Sequence, residues 1–342
     1  MPSDSPPQPF RPASGAGGPH AQTLLGKLLR PTPAFATLRE VWETPDGDVV
    51  TVDLGPGALD SQRPLVLVLH GLEGSSRRSY VRLLMEALRE RGIASVALNF
   101  RGCGGAPNRL ARAYHSGDSE ELAWVAERLR TRFAGRPLGA AGFSLGGNVL
   151  AKYLGEVGTA SVFRGAAVAS VPFDLDEAER WIDRSGIRRI YRRYFLRSLK
   201  EKVEAKRHLL EPQVVARVRA ARTLRAFDDA LTAPLHGFRD ATDYYRRASS
   251  GPLLAGIAIP TLVLHAADDP FLPAAGLPLP ALRANPAVDL RLPAQGGHLG
   301  FLAGSLRRPL WWAETNMAIF LARVLGDSKT PTSPEIRARN PT

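Results

Sequence analysis

Cysteine is almost missing from this chain: Cys103 is alone among 342 residues. No internal disulfide is available, which fits a reducing compartment, and the cytoplasm is the expected location. Long apolar runs are missing as well, since none approaches the 18 or so residues that a membrane-crossing helix needs. The first 17 residues are rich in Pro, Ser and Gly and lack a basic patch running into an apolar core. They do not read as a secretory signal and are expected to be a flexible tail. Metal-ligand spacings are absent, as are Walker and dinucleotide glycine motifs, so neither a metal nor a cofactor is expected. Aromatic residues make up only 7% of the chain and do not interleave with the basic ones, so no nucleic-acid partner is expected. Acidic residues are in deficit, 33 against 45 basic ones, for a net charge of +12.

What is present centres on Gly142-Phe143-Ser144-Leu145-Gly146. This pentapeptide matches G-x-S-x-G, in which a serine sits on a strained turn between a buried strand and a helix. The apolar run Pro137 to Ala141 supplies the strand and Gly147 to Tyr153 opens the helix. Small residues at 142 and 146 let the two elements approach closely. A Gly-rich turn after a core strand is the plain structural alternative, and the rest of the chain argues against it.

A serine hydroxyl needs a histidine to take its proton and an acid to orient that histidine. In hydrolases with this elbow the chain order is Ser, then Asp or Glu, then His. Ile259 to His265 reads as a strand running into Ala267-Asp268-Asp269-Pro270, and Val288 to Leu292 reads as a last strand followed by Gly296-Gly297-His298. Acid and histidine thus each follow the carboxyl end of a strand, where α/β sheets place their ligands. His298 is the expected base. His70 belongs to a loop that it would brace, and His265 lies inside an apolar strand. His20, His115 and His236 sit in loops outside the expected order, with His115 a candidate for the mouth of the site. His208 lies in a charged, helical run. Asp268 and Asp269 are adjacent, and the residues by themselves leave the choice between them open.

The run Pro64 to His70 is continuously apolar, as a strand buried on both faces must be, and ends in His70-Gly71-Leu72-Glu73-Gly74. Two backbone N–H groups are expected to hold the developing oxyanion: that of Leu145, just after the nucleophile, and that of Leu72 in this slim loop. Cys103 lies in a Gly-rich loop with no base placed for it.

Two strands at 38–43 and 49–54 flank the hairpin signal Pro45-Asp46-Gly47-Asp48. Strands at 65–69, 93–99, 137–141, 165–171, 259–265 and 288–292 come next, separated by helices near 77–91, 117–132 and after the elbow, with a closing helix at about 309–325. Alternation of this kind describes an α/β-hydrolase fold: a mostly parallel eight-stranded sheet with helices on both faces. Residues 173–250 break the alternation and read as a helical cap inserted into a core of 18–172 and 251–326, with 327–342 a second flexible tail. The cap stretch 188–207 alone carries nine basic and two acidic residues. It reads either as a solvated helix face or as a surface for anionic membrane or acidic substrates. Tyr191, Tyr194, Phe195 and Leu199 are expected to form its apolar face over the pocket.

Gly18-Pro19-His20-Ala21-Gln22-Thr23-Leu24 resembles the opening signature of the YheT-like α/β-hydrolases, a family that includes membrane-anchored animal relatives. Matching blocks are HGLEGSS at 70–76, NFRGCGG at 99–105, YHSGDSEEL at 114–122 and GFSLGGNVLAKYLGE at 142–156. TAPLHGF at 232–238, DYYRRAS at 243–249, ADDPF at 267–271 and GGHLGF at 296–301 match as well. The resemblance implies carboxylic-ester hydrolysis with Ser144, Asp269 and His298 at the matching positions. Asp269 is favoured over Asp268 because the superfamily's acid stands four residues before a loop proline, here Pro273. The amino-terminal anchor of the animal members has no counterpart in the sequence. The expected activity is a serine esterase acting on small-molecule or lipid esters. Acyl transfer from the same intermediate, or a non-catalytic basic binder of membrane or nucleic acid, are the alternatives. Oligomeric state cannot be read from the sequence.

Overall fold

The computed structural model describes residues 9–59, 62–184, 186 and 188–326. The opening hairpin forms as its turn chemistry demands. Strands β1 (Leu38–Glu43) and β2 (Val49–Leu54) pair antiparallel around the Pro45-Asp46-Gly47-Asp48 turn, with Gly47 at φ 80°. They lead into β3 (Leu65–Leu69), β4 (Ala94–Asn99), β5 (Leu138–Phe143), β6 (Gly165–Ala169), β7 (Thr261–Leu264) and β8 (Val288–Arg291). The sheet order is β1-β2-β4-β3-β5-β6-β7-β8. β2 runs antiparallel to β1 and β4, and every later pairing is parallel.

Burial on both faces explains the apolar monotony of the central strands. In β3, Leu65, Leu67 and Leu69 enter one core and Val66 and Val68 the other, as period-two alternation requires. The first core packs helices α3 (Ser119–Arg132) and α4 (Leu145–Val157) against the sheet through Leu122, Val125, Val149 and Leu150. The second packs α2 (Ser79–Arg89) through Val81, Leu84, Met85 and Leu88, and the closing helix Trp312–Gly326 through Met317 and Leu321. Among the described residues no helix is long and apolar enough to cross a membrane.

Between β6 and β7 the described chain is helical and carries no strand, beginning with α5 (Leu175–Asp183) and α6 (Arg188–Ala205). These helices hold a small core of their own around Leu196, Val203, Val218, Phe227 and Leu231.

Three expectations need correction. Of the supposed tail at 1–17, residues 1–8 lie outside the described residues, but 9–17 pack onto the body. Phe10 makes edge contacts with Phe301 and Trp312, Ala13 and Ala16 are buried, and the Ala13 N–H donates to the Leu302 carbonyl at 2.8 Å. The second supposed tail, 327–342, also lies outside the described residues. The closing helix starts at Trp312, because Leu302–Ser305 and Arg308–Trp311 first form a two-stranded hairpin. In α6, Tyr194 faces solvent and Tyr191 is not among the residues that line the cavity; Phe195 and Leu199 line it as expected, together with Ser198, Glu201, Lys202, Val203, Ala205 and, just past the helix, Lys206. A helix α1 (Pro19–Leu29), unforeseen from the sequence, comes directly after the packed segment.

Candidate active site

Ser144 stands between β5 and α4 at φ 50°, ψ −118°, a left-handed strain that a non-glycine residue adopts only where the surroundings enforce it. Its N–H extends the ladder to the Ala169 carbonyl at 2.8 Å. The next turn is too tight for any side chain at Gly146, where a Cβ would lie 2.4 Å from the His70 carbonyl oxygen. The serine hydroxyl is thereby held out over the carboxyl edge of the sheet.

The other predicted residues converge there. His298 Nε2 lies 3.2 Å from Ser144 Oγ, and His298 Nδ1 lies 2.8 Å from Asp269 Oδ2. A carboxylate can only accept, so Nδ1 carries the proton and Nε2 is the lone-pair side facing the hydroxyl. Asp269 is fully buried, and its Oδ1 accepts the N–H groups of Phe271 at 2.8 Å and Leu272 at 3.1 Å. Burial alone would raise its pKa, yet the charge and hydrogen bond of His298 outweigh that and hold it below the ordinary carboxylate value. Asp268 instead accepts the Gly297 N–H at 2.8 Å, and burial raises its pKa. The two neighbours thus occupy different positions: one on the histidine, one on the loop that carries it.

Leu72 and Leu145 both line the cavity beside Ser144. Behind Leu72, His70 is buried, with Nδ1 donating to the Gly71 carbonyl at 2.8 Å and Nε2 accepting from the Phe100 N–H at 3.2 Å. Burial pushes its pKa down to about 3, so it stays neutral and braces the loop. Glu73, at φ 54°, accepts from Tyr114 Oη at 2.7 Å and from Lys202 Nζ of α6 at 2.8 Å, and the Ser198 hydroxyl also donates to it. His265 is a core residue, 3.2 Å from the Leu272 carbonyl. His115 lines the cavity, tilted against His236 with ring centroids 4.4 Å apart, while His208 is exposed in the helical stretch between β6 and β7. Cys103 is buried next to Lys202, and burial raises its thiol pKa to about 11, which leaves it protonated.

Sequence reasoning missed the residues that hold the histidine loop. His298 donates its N–H to Thr23 Oγ1 of α1 at 2.9 Å, and Leu299 donates to Ser170 Oγ at 3.2 Å. Arg30 reaches the Leu299 and Gly300 carbonyls at 2.5 and 3.0 Å while paired with Glu314. Gln22 exchanges hydrogen bonds with Leu302 in both directions. Thr23 and Gln22 stand inside the opening signature, but nothing local indicates which distant loop they meet.

A cavity of about 470 Å³ opens above Ser144 and His298, between the sheet edge and the helical segment. Leu175, Ile182, Phe195, Leu199, Leu224, Phe227 and Leu231 make most of its wall apolar, and Arg101, Lys202 and Lys206 contribute cationic side chains. Glu179, Glu201 and Asp228 add acidic groups to the lining, so the chamber offers a largely apolar wall interrupted by polar side chains, with Ser144 on its floor.

The sequence model of the α/β-hydrolase fold matches residues 64–305. YheT of Escherichia coli (strain K12), whose name assigns it to the esterases, is 38% identical over 320 residues, covering 92% of this chain and 94% of that protein. Phospholipase ABHD3 of Mus musculus is 33% identical, with 83% of this chain and 71% of that protein covered. The monoacylglycerol lipase of Saccharomyces cerevisiae (strain ATCC 204508 / S288c) is 32% identical, covering 75% of this chain and 58% of that protein. Among solved structures, the Pyrococcus furiosus esterase Pf2001 superposes with a TM-score of 0.54 at 18% identity, covering 92% of this chain and 99% of that one; this is a likeness of fold.

Two substitutions test the supports of the site. Thr23→Val removes the acceptor for the His298 N–H, so turnover of a soluble ester should fall roughly three- to tenfold, the effect of one net hydrogen bond. Unchanged kcat would remove Thr23 from the support of the histidine. For His70, whose depressed pKa makes its contribution to stability greatest above about pH 6.5, folding must suffer as pH falls and the unfolded state takes up a proton that the folded state refuses. The stability gap between wild type and His70→Gln should therefore narrow by about 1.5 kcal/mol from pH 6.5 to 5 in denaturant titrations. A constant gap would mean that His70 takes up a proton as readily in the fold as in the unfolded chain.

Proposed function

The chain belongs to the α/β hydrolases, within the esterases related to YheT, and is a carboxylic-ester hydrolase; from that premise we propose that it works through an acyl-enzyme on Ser144. The observation that carries this reading is the contiguous relay of Ser144 Oγ, His298 Nε2, His298 Nδ1 and Asp269 Oδ2 at 3.2 and 2.8 Å, on the floor of an apolar cavity. His298 takes the hydroxyl proton as Ser144 attacks the ester carbonyl, and Asp269 stabilises the imidazolium that forms. The N–H groups of Leu72 and Leu145 receive the negative charge of the tetrahedral intermediate. Collapse expels the alcohol, which leaves with the proton from His298. Water, deprotonated by the same histidine, then attacks the acyl-enzyme and frees the acid. An alcohol in place of water would turn the intermediate into an acyl donor, and product analysis separates the two outcomes.

The cavity volume fits short- to medium-chain acyl groups or lipid-like esters, taken from solution or from an anionic membrane surface. The single buried cysteine accords with a cytoplasmic location. Division into a hydrolase core and a cap over 173–250 is part of the same reading, supported by the separate small core of those helices.

Ser144→Ala should abolish fluorophosphonate labelling while leaving the melting temperature within a few degrees of wild type. Stoichiometric labelling of that variant would overturn the assignment. Asp269→Asn should lower kcat by about 10⁴-fold, because the imidazole loses the partner that fixes its tautomer. Asp268→Asn should mainly lower stability, and the reverse ranking on p-nitrophenyl esters and in melting would move the orienting role to Asp268.

A further inference from the structure

A second apolar surface lies outside the cavity. Helix α1 turns Leu24, Leu28 and Leu29 to solvent, Leu28 being 75% exposed. Helix α6 does the same with Ile190, 64% exposed, and Tyr194. Although far apart in sequence, the two helices touch. Lys27 Nζ stands 4.6 Å from the centre of the Tyr194 ring, and His20 Nδ1 lies 3.2 Å from Tyr191 Oη. Leu24 and Leu28 neighbour Lys27 around α1, whereas Leu29 lies on the far side of the helix, so Leu24, Leu28, Ile190 and Tyr194 are the four large apolar side chains that share one face, where burial against something apolar would be favourable.

The cations on that face are not all equivalent. Arg192 is turned inward onto the Asp183 carbonyl at 3.0 Å, and Arg188 stacks on Trp181 at 4.1 Å. Arg189 and Arg193 are exposed and, among the described residues, make no ion pair; Lys27 meets only the Tyr194 ring. Three unneutralised cations thus border the apolar residues, leaving one sign of charge at the rim. The face also adjoins the cavity wall. The Tyr191 ring is 4.5 Å from Phe271, and Phe271 is 4.4 Å from the His298 ring.

We propose that the face formed by α1 and α6 is a docking surface for anionic lipid bilayers. Leu24, Leu28, Ile190 and Tyr194 enter the boundary between headgroups and acyl chains, while Lys27, Arg189 and Arg193 meet lipid phosphates. A second copy of this chain fits the face poorly, since a symmetric pairing would set like charges against each other. The surface needs neither Ser144 nor the relay, so lipid docking stands or falls separately from the acyl-enzyme.

Flotation of the full chain with phosphatidylcholine vesicles, and with an equal mixture of phosphatidylcholine and phosphatidylglycerol, tests this. Wild type and Ser144→Ala should float equally with the mixed vesicles, more weakly with the neutral ones, and progressively less as salt rises. The triple variant Lys27→Gln, Arg189→Gln and Arg193→Gln should lose about 100-fold in partition onto the mixed vesicles, roughly fivefold per cation. Leu28→Asp with Ile190→Asp should abolish flotation on both. Turnover of p-nitrophenyl acetate should stay within twofold in both variants and serves as the check on folding; should the aspartate pair unfold the chain, the glutamine triple decides alone. Flotation that ignores lipid charge, or is retained by the glutamine triple, would overturn the proposal. A dimer in sedimentation velocity that dissociates on Leu28→Asp would overturn it in favour of self-association.

Discussion

The strained turn at Ser144 is the constraint on which the site depends. A serine at φ 50° between β5 and α4 costs of order 1–3 kcal/mol, and it persists because its surroundings leave no alternative. Its N–H is committed to β6, its carbonyl accepts from Asn148 inside α4, and Gly71 of the next strand's loop would bring a Cβ within 3.2 Å of Ser144 Cβ. Relaxing the turn would break the ladder or open the contact between β3 and α4. The same crowding that strains the serine therefore brings the Leu72 loop beside it. Ser144 and the Leu72 loop are positioned by one packing event.

Glu73 extends that coupling to the helices above. Its carboxylate collects Tyr114, Ser198 and Lys202, and its own N–H donates to Tyr114 Oη at 2.9 Å. Ser198 and Lys202 are one turn apart on α6, so the helix meets the loop through a single face. A carboxylate this well buried must be neutralised where it stands, and among the described residues the cation paired with it comes from α6. Displacing α6 would leave Glu73 charged and unpaired beside the Leu72 N–H. The apolar cavity and the loop on its floor are thus held in one arrangement by a buried charge and not by apolar contact alone.

The sheet was legible in the sequence because its strands are short apolar runs ending in chemistry: β3 in His70-Gly71, β5 in Ser144, β7 in Asp268-Asp269. Burial on both faces removes polar residues from such strands, so the polar groups just past their carboxyl ends stand out. The choice between Asp268 and Asp269 was not legible in the residues alone, since either could accept a hydrogen bond; only the Asp269 distance to His298 tells their positions apart. Helix α1 and the packed segment before it escaped because Gly, Pro and Ser look alike in a loose tail and in a chain laid across a surface. Tyr194 was misplaced for a related reason. A periodic apolar stripe states that a face will be covered, and in α6 one edge of the stripe turns to solvent instead.

The least legible part of the site is also the part that holds the histidine in place. The loop from Gly296 to Phe301 holds four residues at positive φ, two of them the bulky Leu299 and Phe301. At Gly297 a side chain would meet the Pro19 carbonyl at 2.6 Å, so α1 presses directly on the loop. Such a backbone would relax if left alone, and a shift of about 1 Å in the imidazole can cost 100-fold in rate. It is held from three directions: by Thr23 and Arg30 of the α1 segment, by Ser170 past β6, and by Asp268 past β7. Thr23 and Ser170 lie 275 and 129 residues from their partners, so no local pattern could announce them. A helix ahead of the sheet, through Thr23, thus helps to place His298, 275 residues away, which gives the opening signature a structural role independent of any contact with substrate.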